Sequence, residues 1–108
     1  MTEWTRVVVI LLQGDVQGAR HMELVRLALA SAGQSGKQIV TDLSRVHYMN
    51  LNLLAELLEP EHHGVSRPWI AGPLNEPAQR LFDLTHATSM FRIFPALPDA
   101  VQAARPRP

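Results

Sequence analysis

The sequence predicts one small α/β domain, a mixed and mostly parallel β-sheet with about four helices, and three observations carry that expectation. Short runs of β-branched and aliphatic residues recur along the chain, most of them are followed by a segment of helical period, and Gly, Pro and Asn punctuate the changes. Parallel strands need long crossovers, and helices are the usual crossover. At 108 residues the chain has the size of one domain. We place that domain at residues 1–104, with Arg105-Pro106-Arg107-Pro108 as a frayed tail.

Each element has its own reason. Val7 to Leu12 is a continuous apolar run, too short for a helix and closed by Gln13-Gly14-Asp15, which suits a strand covered on both faces. From Gln17 to Ala32 the period becomes helical: His21, Val25, Ala28 and Ala32, with Met22 and Leu29 beside them, form an inner stripe, while Arg20, Glu23 and Arg26 point away. Gly33 and Ser35-Gly36 stop it. Gln38 to Thr41 reads as a second strand ending at Asp42.

A central helix begins with Asn50 as its cap. Turning about 100° per residue places Leu51, Leu54, Ala55 and Leu58 inward with Leu57 beside them, and Asn52, Glu56 and Glu59 outward. Leu53 falls at the margin and is expected to be half exposed. Pro60 ends or bends this helix before His62-His63-Gly64. Arg67 to Ala71 reads as a third strand with proline at its entry. Asn75 caps a helix with Pro77 in its first turn and Ala78, Leu81, Phe82 and Thr85 inward. Phe91 to Phe94 is a fourth strand, and Pro98 to Ala104 a last helix with Ala100, Val101 and Ala104 inward.

Composition removes several classes of function. Ten acidic and ten basic residues balance, so no net field concentrates nucleic acid or anionic lipid. The absence of cysteine excludes disulfides and thiolate zinc sites. No basic segment precedes Val7 to Leu12, and that run is too short to span a bilayer, so a cytoplasmic protein without membrane insertion is expected.

The order of elements and three segments resemble the STAS domain, shared by sulphate transporters and bacterial anti-sigma-factor antagonists. The segments are Val9 to Asp15, Asp42-Leu43-Ser44-Arg45-Val46, and Leu81-Phe82-Asp83-Leu84-Thr85 leading to Phe91-Arg92-Ile93-Phe94-Pro95. In the antagonists the central helix opens with Asp-Ser-Ser-Gly, and a kinase that is also the anti-sigma factor phosphorylates the second serine. The resemblance lays Asn50, Leu51, Asn52 and Leu53 on those four positions, and every one differs. Gln17 stands where the family often has an aspartate after its first strand, with Asp15 close by. The resemblance therefore implies the scaffold without its phosphorylation switch.

The chemistry agrees without the family. Phosphoryl acceptance needs a hydroxyl that can lose its proton, whereas an amide nitrogen delocalises its lone pair into the carbonyl. Asn52, at the phosphorylation position, is not phosphorylatable. What a helix entrance offers instead is backbone N–H groups and the positive end of its dipole, together about 0.3–1 kcal/mol for a nearby anion at an exposed site.

Asp42 reads as an acceptor for nearby loop N–H groups rather than half of an acid–base pair. Ser44 lacks a neighbouring base, the five histidines lack metal-ligand spacing, and Gly14 and Gly18 lack the spacing of a phosphate cradle, so no catalytic residue, cofactor or metal is expected. Trp4 and Trp69 read as packing residues, with Trp4 also able to stack on a partner chain.

The expected function is a non-enzymatic protein-binding module like an anti-sigma-factor antagonist, its partner an anti-sigma factor or serine-kinase-like protein. The expected contact residues are Asn50, Leu51, Asn52, Leu53 and Glu56, with Asp15 and Gln17 across the edge. Homo-oligomers are compatible with this reading. Two alternatives are an accessory subunit of a lipid-transport ABC complex and, with least support, a small nucleotide-binding protein or enzyme using the Asp42 edge.

Overall fold

Strands of this chain pair in the order in which they are made, and the helices between them fall largely on one side. The computed structural model describes residues 6–105. Trp4 and residues 106–108 of the tail lie outside the described residues. The elements are β1 (Val7–Val16), α1 (Ala19–Gly33), β2 (Gln38–Met49), α2 (Leu51–His62), β3 (Trp69–Ala71), α3 (Glu76–Leu84), α4 (Ala87–Met90), β4 (Ile93–Phe94) and α5 (Leu97–Ala104). They form a four-stranded sheet ordered β1-β2-β3-β4, and all three pairings are parallel. The α/β class follows directly. Each crossover moves one strand in the same direction, so right-handed connections put α1, α2 and α3 on the same face.

Strand alternation divides the interior accordingly. Val8, Ile10, Ile39, Leu43 and Ile70 belong to the layer shared with Met22, Val25 and Leu29 of α1, Leu53 and Leu57 of α2, and Phe82 of α3. Val7, Val40, Ala71 and Phe94 turn to the opposite face, where Ala100 and Leu97 of α5 cover them. That second layer is small. Its outer end is closed by Trp69 against Phe94, with ring centres 5.2 Å apart, and the Arg92 guanidinium lies 4.6 Å from the Trp69 ring centre.

Four sequence expectations change. The β1 strand runs to Val16 and is an edge strand whose second face is covered only at Val7, so Val9 and Leu11 are exposed. Along β2 pairing continues seven residues beyond the expected end at Asp42, to Met49. At the start of α1 the helix begins at Ala19, and His21 is exposed instead of lying on the inner stripe. Among the described residues there are five helices, the extra one being the single turn α4, and the third and fourth strands shorten to Trp69–Ala71 and Ile93–Phe94. The caps at Asn50 and Asn75 and the inner positions Ala78, Phe82 and Ala100 stand as expected.

The extension of β2 has a clear mechanical origin. Its register against β1 shifts twice, between Leu11 and Gln13 and between Gly14 and Asp15, and each shift spends one extra residue of β2. The buried residues Leu43, Val46 and Met49 therefore recur every third position rather than every second. Gly14 sits at the second shift with φ 79°, a left-handed conformation that glycine adopts without penalty. The carboxamide of Asn75 fastens the bulged stretch: its Nδ2 donates to the carbonyls of Val46 at 2.9 Å and His47 at 3.1 Å, while its Oδ1 accepts from the Ala78 N–H at 2.9 Å.

Candidate functional site

The long β1–β2 pair delivers the chain to one edge. Asp15 is paired with Tyr48 and Val16 with Met49, so Gln17 and the entrance of α2 emerge side by side at the carboxyl ends of the strands. In open parallel sheets this is where ligands and partners gather. Asn50 is extended, and its Oδ1 accepts from the Asn52 N–H at 3.1 Å, while its carbonyl accepts from the Leu53 N–H at 3.1 Å. Two donors that the sequence reading left for a partner's carboxylate are thus used within the helix start itself. What faces outward is the side chains.

Asp15, Gln17, Leu51 and Asn52 are all exposed, with Leu51 at 59%. The structure brings these four together with half-buried Asn50. Two expected contact residues do not join them. Leu53, read as half exposed, is completely buried in the core. Glu56, read as pointing outward, is 9% exposed and turned toward α1.

One ion pair explains the rotation of α2. Arg26 of α1 grips the Glu56 carboxylate through Nη2 to Oε2 at 2.8 Å and Nε to Oε2 at 3.1 Å. This two-pronged geometry allows a carboxylate to sit between two helices. Positions 51–58 are apolar almost all round, so two different arcs were available to the core. The rotation observed buries Leu53, Leu57 and Pro60, sets Glu56 against its partner on α1, and sends Leu51 and Ala55 outward. The hydrogen bond that Arg26 donates to Glu56, and then the charge of that carboxylate, hold the Arg26 guanidinium above its ordinary range. Stability drawn from a raised cationic group is fully present below its unfolded pKa, so on the arginine side the pair weakens only in strong base.

Two residues at this edge escaped the sequence reading. Tyr48, 46% exposed, and Leu84, 74% exposed, line a shallow depression of about 470 Å³ with Pro77 and Arg80. Leu51, three residues on from Tyr48 at the mouth of α2, is a further exposed large apolar side chain. Tyrosine and arginine are the residue types that most often anchor protein interfaces. The signal was hidden because Tyr48 lies in the bulged stretch, where no two-residue alternation reveals which side chains face out.

Asp42 lies inside β2 rather than at its end. It is 7% exposed, and its Oδ1 accepts from the Ser44 N–H at 2.9 Å, the local acceptor role expected of it. A second concavity, about 460 Å³, lies between α1 and α2, with Leu29, Ala30, Pro60 and Val65 in its walls and the Arg26–Glu56 pair at its side. No helix among the described residues is long and apolar enough to cross a membrane. No protein-family model matches the chain, and no curated protein matches its sequence.

Proposed function

We propose that this domain is a non-enzymatic protein-binding module of the anti-sigma-factor-antagonist type, docking a kinase-like anti-sigma partner through the carboxyl edge of its sheet and lacking a phosphorylation switch at the helix entrance. The observation that carries this reading is Leu51, exposed between Asn50 and Asn52 at the mouth of α2 and three residues on from Tyr48, which lines the depression with Leu84. Covering Leu51 fully contributes about 2 kcal/mol to a complex, and Tyr48 adds ring area at little entropic cost. Asn52 presents a polar tip and no phosphoryl acceptor. Leu53 and Glu56 act beneath this surface, fixing the angle of the helix, and make no contact with the partner.

The resemblance of the segments around Val9 to Asp15 and Asp42 to Val46 to STAS antagonists supports the choice of partner class. Calorimetric titration against a panel of anti-sigma-factor kinases tests it. A partner should bind the natural chain and lose at least tenfold in affinity for Leu51→Asp. An acidic residue in the first turn favours the helix dipole, so this variant keeps its fold. Equal affinity of the two forms for every partner that binds, or no binding across the panel, overturns the reading.

A further inference from the structure

The outer edge of β1 is ten residues long and, among the described residues, no other strand pairs with it. From Val7 to Gly14 it carries no charge and no proline, the devices that keep foreign strands away from an edge. The backbone shows which groups are on offer. The Arg6 carbonyl accepts from the Gln38 N–H at 2.9 Å, and the register continues evenly from Val7–Gln38 to Leu11–Asp42. In such a parallel ladder Arg6, Val8 and Ile10 turn their N–H and C=O groups to β2, and Val7, Val9 and Leu11 turn theirs outward.

Side chains on both faces of the sheet match this edge. The layer under α5 takes in Val7 at the start of β1 but reaches no further along that strand, which leaves Val9 and Leu11 bare at 39% and 45% exposure. On the opposite face, α1 overhangs β1. Arg26 marks the flank of α1 that meets α2, and Leu24 lies about 200° around the helix from it, with Ala28 next to it on the flank above the free edge. Leu24 is 56% exposed.

We propose that β1 pairs antiparallel with β1 of a second copy, joining two four-stranded sheets into one continuous sheet with Val9 opposite the second copy's Leu11. A two-fold axis normal to the sheet makes the surface self-complementary, as isologous dimers require. The register uses outward N–H and C=O groups on both strands, sets Val9 and Leu11 of both copies side by side, and brings the two α1 flanks together. Charge favours an antiparallel copy over another strand: Arg6 stands before the start of β1 and Asp15 near its end, so opposite charges approach at each end. This surface is separate from the α2 entrance and does not rest on the function proposed for it.

Sedimentation or native mass measured over a concentration series tests the pairing, combined with hydrogen exchange of the natural chain. The expected result is a dimer whose Val9 and Leu11 amides are protected in step with dimer formation. Val9→Pro removes one outward N–H and leaves the β2 ladder intact, so it should yield a folded monomer with unchanged circular dichroism. A natural chain that stays monomeric up to millimolar concentration overturns the proposal. So does a dimer in which the Val9 and Leu11 amides exchange as freely as an open edge, a result that holds even where Val9→Pro fails to fold.

Discussion

Asn52 and a serine at the same place differ in one respect that matters for regulation: a carboxamide receives hydrogen bonds as a hydroxyl does, but it cannot accept a phosphoryl group. Around it the work is divided among neighbours. Asn50 caps the helix through its Oδ1, and Asn50→Ala should cost about 1 kcal/mol in denaturant unfolding. Leu51, being exposed, contributes little to folding, and Leu51→Asp should leave stability within about 0.5 kcal/mol while weakening the partner complex. Thr41 presents the opposite case. It is wholly buried in β2, and its hydroxyl has no hydrogen-bond partner among the described residues. Thr41→Val keeps the shape and removes the unpaired group, so it should raise unfolding stability by about 1 kcal/mol. An unchanged or lower stability would mean that the hydroxyl is satisfied in solution.

The elements that were legible in the sequence are those whose period is undisturbed: the α3 stripe of Ala78 and Phe82 between an asparagine cap and Thr85, and the short α5 with Ala100 inward. The strand β2 was legible only to Asp42 because its two bulges convert the spacing of buried residues from two to three, a pattern that reads locally as loop. With it went the position of Asp42 and the exposure of Tyr48. The helix α2 was legible in its cap but not in its end or its rotation: it continues through Pro60 to His62, and Arg26, which pairs with Glu56 on its buried side, lies 30 residues away in sequence. Leu53 therefore changes from contact residue to core. Leu53→Ala should cost about 2–5 kcal/mol, far more than any change at Leu51, and the comparison of the two in denaturant tests the rotation directly. Gly14→Ala forces a side chain into the left-handed region at φ 79° and should cost about 1–2 kcal/mol, lowering the protection of the β1–β2 amides beyond it.

At the scale of the whole molecule, the order β1-β2-β3-β4 leaves two unlike surfaces open, a carboxyl edge with exposed side chains and a β1 edge with outward backbone groups. We assign the first to a foreign protein and the second to a copy of the chain. Binding at the carboxyl edge without a phosphoryl acceptor at the helix entrance is the central claim, and one measurement meets it most directly: the purified chain is incubated with ATP and each anti-sigma-factor kinase of the panel proposed above, and intact mass and complex are read from the same sample. The expected outcome is an unchanged mass and a complex that persists. Addition of a phosphoryl group accompanied by release of the partner would contradict it.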